Sequence, residues 1–133
     1  MKAVFPATDA ALQDVNQFVE TQLEEAGCTP KNMMKIMIAL EELFINVAHY
    51  AYFGEEGDVE ISLDIADDTM TLRLTDSGMP FDPLAKEDPD VTLDANKRRI
   101  GGLGIYMVKK TMDAMTYAYE NGQNIVTITN KIR

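Results

Sequence analysis

Cysteine is nearly absent. Cys28 is the only one in 133 residues, so no disulfide can form within the chain. That fits a reducing compartment, and a cytoplasmic location is expected. A cysteine nucleophile needs a base beside it, and the only histidine, His49, lies on another segment. Cys28 follows Gly27 at an expected helix end and reads as a small buried or half-buried residue. Cations are scarce too: 12 Lys and Arg stand against 22 Asp and Glu, a net charge of −10. Nucleic acid is disfavoured as a partner, because phosphate backbones are held by clustered Lys and Arg. Anionic membrane surfaces are disfavoured for the same reason. A small anion is not excluded, since local backbone N–H groups can hold one against the global charge. The general consequence of the acidity is solubility. No apolar run nears the length of a membrane span. No basic stretch followed by an apolar core opens the chain, so no signal peptide is expected. Repeats, low-complexity tracts and linkers are missing as well. The chain reads as one domain over 1–133, long enough to bury a core without disulfides or metal.

What is present has clear periodicity. Met1 to Ala7 can form a first strand, and Thr8 or Asp9 can cap a helix. Leu12, Val15, Phe18 or Val19, Leu23 and Ala26 recur at helical spacing until Gly27. Thr29-Pro30 is a helix start, and the second helix is expected from Pro30 to Tyr52, broken by Gly54 and Gly57. Val59, Ile61, Leu63 and Ile65 alternate with polar residues. After Asp67-Asp68 the alternation resumes at Met70, Leu72 and Leu74 and runs into Asp76, which predicts a hairpin. Ser77 to Ile100 carries Pro80, Pro83 and Pro89 with little periodicity, and loops this long are usually functional or disordered. A third helix is expected over Leu103 to Met115. A second hairpin, Thr116 to Glu120 and Asn124 to Lys131, turns at Asn121-Gly122. The elements predict an α+β two-layer sandwich: a mixed, mostly antiparallel sheet with helices on one face.

Three segments carry chemistry. On the second helix, Glu42 and Asn46 share one face, one turn apart, in an otherwise apolar stretch. Buried without partners, such groups cost about 1–3 kcal/mol each. A hydrated Mg²⁺ would satisfy both, and a half-buried carboxylate could serve as a general base. A solvent-exposed face explains the same pair without any ligand. At the end of a strand stands Asp76-Ser77-Gly78, followed by Phe81-Asp82-Pro83. Asp76 could accept a hydrogen bond from an exocyclic amine such as that of adenine, with Gly78 allowing close backbone approach. Equally, it could close an Asx-turn. Before the third helix, Gly101, Gly102 and Gly104 follow Arg98 and Arg99. A helix opening rich in free N–H groups is an anion site, and a flexible opening is the competing reading. His49, seven residues after Glu42, reads as a satisfied structural histidine. The nine methionines suggest an adaptable core.

In this order and context the three segments resemble the N, G1 and G2 boxes of the GHKL-type (Bergerat fold) ATPases, the superfamily of gyrase, Hsp90, histidine kinases and MutL. The chain is most similar to the stand-alone anti-sigma factor serine/threonine kinases of the RsbW-like branch, over nearly its whole length. The resemblance implies ATP and Mg²⁺ as cofactors, with Glu42 as general base and Asn46 as magnesium ligand. It makes Asp76 the adenine reader, with Gly78 beside it. Gly102 and Gly104 become the phosphate-binding glycines, with a lid at about 84–100 and Arg98 or Arg99 near the phosphates. Two departures stand out. Tyr50-Ala51-Tyr52, preceded by His49, stands where many relatives have His-Ala-Tyr. Gly122-Gln123-Asn124 stands where many have Gly-Thr.

The function so implied is that of an ATP-binding anti-sigma factor. It would phosphorylate a serine or threonine of an anti-anti-sigma (STAS-type) partner and could sequester a sigma factor; the resemblance also allows a homodimer. A nucleotide-binding switching module without turnover is the alternative. A histidine-kinase fragment fits less well, because no helical hairpin carries an acceptor histidine. A DNA-machine ATPase would need a transducer domain that the sequence lacks.

Overall fold

The computed structural model describes residues 1–53, 55–85 and 102–133. In chain order these form β1 (Lys2–Pro6), α1 (Leu12–Glu25), α2 (Pro30–Tyr50), β2 (Asp58–Ala66), β3 (Thr69–Asp76), α3 (Gly102–Thr111), β4 (Ala114–Glu120) and β5 (Gln123–Lys131). Single 3-10 turns stand at Asp9–Ala11 and Pro83–Ala85. The strands make one five-stranded sheet in the order β1-β2-β3-β5-β4. All four pairings are antiparallel, so the expected mixed character resolves to antiparallel throughout.

Alternation decides which side chains face inward. Val59, Ile61 and Leu63 of β2, Met70, Leu72 and Leu74 of β3, and Val126 and Ile128 of β5 are buried. They meet Val15, Val19 and Leu23 of α1, Ile36, Leu40, Leu43, Phe44 and Val47 of α2, and Ile105 and Val108 of α3. Because the period is two, the inner row of β3 continues from Leu74 to Asp76 and that of β5 begins at Asn124. The two lie directly opposite in register. Two polar side chains are thereby placed on the buried face at one end of the core.

Helix boundaries follow local chemistry. Gly27, at φ +79°, ends α1 by letting the Cys28 and Gly27 N–H groups return to the carbonyls of Leu23 and Glu24. The Thr29 hydroxyl caps α2 by accepting from the Asn32 N–H, with Pro30 in the first turn. Thr8 makes no side-chain cap; the expected start of the first helix is the 3-10 turn instead. α2 stops at Tyr50 rather than Tyr52. The Tyr52 hydroxyl donates to the Asp58 carbonyl and accepts from the Ser77 N–H, which draws the chain out of the helix. α3 stops at Thr111 rather than Met115, because Ala114 and Met115 pair with Thr129 and Ile128 of β5. Asp113 fixes that switch: its N–H donates to Asn130 Oδ1 and its carboxylate accepts from the Lys131 N–H. Of the expected lid at 84–100, only Leu84 and Ala85 belong to the described residues. Among the described residues, no helix is long and apolar enough to cross a membrane.

Candidate functional site

The inward pair Asp76 and Asn124 opens onto a cleft between α2 and the β3–β5 pair. Its free volume, mouth included, is about 410 Å³. Asn46, Val47 and Tyr50 of α2, Leu74 and Asp76 of β3, Asn124 and Val126 of β5, and Met79 and Phe81 of the loop after β3 line it. Polar groups are few and the walls largely apolar, the usual make-up of a small-molecule site.

Asp76 is only 5% exposed. Its Oδ1 accepts from the Gly78 N–H at 2.9 Å and from Asn124 Nδ2 at 3.0 Å. The first of these is the Asx-turn that the spacing allowed. The two readings of Asp76 are therefore compatible: one oxygen closes the turn, and no described residue donates to Oδ2. Gly78 is required by contact. A β-carbon there would lie 2.3 Å from the Ala51 carbonyl oxygen, a backbone atom already accepting the Met79 N–H. Tyr52 ties the same turn to the end of α2 through the Ser77 N–H. Burial, before any other influence, pushes its phenol upward, so the hydroxyl stays protonated while it bridges.

Asn46 is half-buried on the cleft wall. Glu42, one turn earlier on α2, meets the first turn of α3: a β-carbon on Gly104 would lie 2.0 Å from Glu42 Oε2. Gly102 is the first residue of α3. The fold thus brings Asp76 and Asn46 to one cleft, ties Gly78 to Asp76 through its N–H, and sets Glu42 against Gly104 one turn along α2. Glu42 is exposed, the solvent-facing alternative that the spacing left open. α3 presents a glycine there, and no described residue bonds to the carboxylate. Arg98 and Arg99 lie outside the described residues. His49 points elsewhere and pairs on the surface with Asp9, Nε2 to Oδ1 at 2.8 Å. Cys28 is half-buried, and burial raises its thiol.

Sequence reasoning singled out Asn124 only as a departure from a pattern. It is 3% exposed and bonds to four residues from three segments of the site. The legible signal was its place: two residues before Val126 on the inward row of β5, facing the end of β3.

A two-layer α+β sandwich with this cleft beside its long helix defines a histidine kinase-like ATPase domain. The family model of that description matches residues 5–130, and the chain belongs to the family. The serine-protein kinase RsbW of Listeria monocytogenes is 31% identical over 106 residues, 76% of this chain and 68% of the kinase. The kinase of the same name from Halalkalibacterium halodurans is 30% identical, covering 72% and 61%. Among solved structures, the RsbU and RsbW domains of a Mycobacterium tuberculosis protein superpose with a TM-score of 0.70 at 17% identity. That match covers 99% of this chain and 31% of the mycobacterial one. The Acinetobacter baumannii histidine kinase AdeS superposes at 0.53 with 14% identity, over 100% of this chain and 68% of its own.

Proposed function

We propose that this chain is one ATP-binding domain that holds ATP and magnesium in the α2–β3–β5 cleft. It transfers the γ-phosphoryl group to a serine or threonine of a small anti-anti-sigma partner and acts as an anti-sigma regulatory kinase. One observation carries the reading: Asp76 and Asn46 line a single apolar cleft, and Glu42 with the opening of α3 lies one helical turn beyond. The RsbW serine-protein kinases among its relatives support the reaction class.

The residues fit the ligands. Asp76 Oδ2, with no described donor, suits the exocyclic amine of adenine between Val47, Leu74 and Val126. No group of three His, Cys, Asp or Glu among the described residues could hold a metal alone. That suits magnesium, which commonly takes one or two protein oxygens plus phosphate oxygens and waters. Asn46 would supply the protein oxygen, and the bound ion would offset charge developing at the phosphates. Gly102 and Gly104 stand in the first turn of α3, where helix N–H groups would meet phosphate oxygens, and Arg98 and Arg99 precede them in the sequence as candidate cations. Glu42 takes the proton of the acceptor hydroxyl as its oxygen bonds the γ-phosphorus and the bond to the ADP oxygen breaks. An exposed Glu42 is reachable by a hydroxyl on another protein.

Titration calorimetry with ATP, with and without Mg²⁺, tests the first half. Binding is expected to tighten with metal in the parent and to lose that gain in Asn46→Ala. No binding at millimolar nucleotide in either condition defeats the reading. Radiolabel transfer to a co-encoded STAS-type protein tests the second half. Binding without transfer hands the function to a non-catalytic switching module.

A further inference from the structure

Asn124 has no free hydrogen-bonding capacity. Its Nδ2 donates to Asp76 Oδ1 at 3.0 Å and to the Met79 carbonyl at 2.8 Å, with a longer 3.5 Å approach to the Gly78 carbonyl. Its Oδ1 accepts from the Phe81 N–H at 3.1 Å and from the Tyr117 hydroxyl. A primary amide has two hydrogens and two lone pairs, so nothing remains for a ligand. Nor can the amide turn over. A flip would set its oxygen against Asp76 Oδ1 and the Met79 carbonyl, and its NH₂ against the Phe81 N–H. The Gly78 N–H and Asn124 together occupy Asp76 Oδ1 and fix the carboxylate's rotation.

We propose that Asn124 is the positioning residue for base selection: by holding Asp76 through Oδ1 and keeping its own amide bound to the protein, it leaves Asp76 Oδ2 as the acceptor that reads a bound base. The inference rests on the ATP-binding reading above and adds the source of its selectivity. A base with an exocyclic amine satisfies Oδ2. A base with a carbonyl at that position meets an acceptor, and the Asn124 amide beside Asp76 has no hydrogen to offer it. Tyr117 secures the arrangement from β4. Burial, then the nearby Asp82, Asp76 and Tyr119, raise its phenol, so the hydroxyl keeps donating to Asn124.

The test measures ATP and GTP affinities by calorimetry at pH 8 and pH 5.5 for the parent, Asn124→Asp and Tyr117→Phe. Asn124→Asp keeps the shape, deletes both donors and sets a carboxylate against Asp76. The titratable groups in contact with it are Asp76 from β3 and Tyr117 from β4, with Asp82 beyond Tyr117. At pH 8 the variant should lose about tenfold or more in ATP affinity relative to the parent. At pH 5.5 the deficit should narrow, because a proton shared by two touching carboxylates restores a donor to Asp76. A merely structural asparagine would weaken ATP and GTP alike, and a parental ATP-to-GTP ratio at both pH values overturns the proposal. Tyr117→Phe removes one hydroxyl and should lower the ratio about 3- to 10-fold. If Asn124→Asp does not fold, an unchanged ratio in Tyr117→Phe overturns the proposal alone. A parent that binds neither nucleotide defeats the ATP reading itself, before any variant is compared.

Discussion

Gly78, in the turn after β3, and Gly104, in the first turn of α3, each lie where a β-carbon would collide. At Gly78 the obstacle is backbone, the Ala51 carbonyl oxygen at 2.3 Å, with the Ala51 carbonyl carbon at 2.7 Å. At Gly104 it is the tip of a side chain, Glu42 Oε2 at 2.0 Å. The first region is knitted together: Asp76, Asn124, Tyr52 and the N–H groups of Ser77, Gly78 and Phe81 hold one another. The second is loose, with an exposed Glu42 that bonds to no described residue. Asp76 Oδ1 and the whole Asn124 amide are committed to protein partners, which fixes one arrangement because each alternative leaves a group unpaired. A carboxylate in solvent has no such constraint. One end of the site is therefore preformed for recognition, while the other is set by a side chain that can move.

The largest expected effect tests the loose end. Glu42→Gln keeps size and shape but removes the base, so phosphoryl transfer to the partner should fall about 10²–10⁴-fold. Because the side chain is exposed and bonds to no described residue, stability should stay within the range of a neutral surface change, about 0.5 kcal/mol. ATP binding should persist. Transfer at near the parental rate removes Glu42 from the mechanism. Next in size is a change at the knitted end. Gly78→Ala forces a β-carbon onto backbone that cannot swing aside, and should cost about 1–3 kcal/mol of stability by chemical denaturation. A parental denaturation midpoint would mean that the turn shifts freely, and the contrast between the two ends would dissolve.

Much of this was written in the sequence. Thr29-Pro30 set the start of α2 through chemistry confined to four residues. Asn121-Gly122 turned the last hairpin with both residues at positive φ, as their types allow. The alternation Met70, Leu72, Leu74 put Asp76 on the inner face before any contact was known. What stayed hidden depends on residues far apart in the chain. The end of α3 is decided by β5, because Asp113, Asn130 and Lys131 lock the switch from helix to strand. The role of Asn124 comes from Asp76, Met79, Phe81 and Tyr117, and no local pattern records those partners together. The exposure of Glu42 follows from which residue of α3 faces it, a fact of helix packing that the spacing of Glu42 and Asn46 does not contain.

The smallest expected change in stability belongs to Gly104→Ala, and it sharpens the contrast most directly. Its β-carbon would meet Glu42 Oε2 and Cδ at 2.0 and 2.8 Å, while Cγ lies at 3.5 Å. Only the end of a flexible side chain must yield, and solvent is open to receive it. Alanine is the better helix former, by up to about 1 kcal/mol in a helix interior and less in a first turn. The two effects oppose each other, so thermal denaturation should match the parent or lie slightly above it. Transfer should nevertheless drop, by about tenfold, because the carboxylate is pushed off the position from which it meets the acceptor hydroxyl. The pair of variants then splits cleanly: Gly78→Ala loses stability, and Gly104→Ala loses turnover. A Gly104→Ala protein that melts several degrees lower, with transfer unchanged, would show the reverse. Glu42 would then be held in place by the fold, and the glycine opposite it would serve packing rather than chemistry.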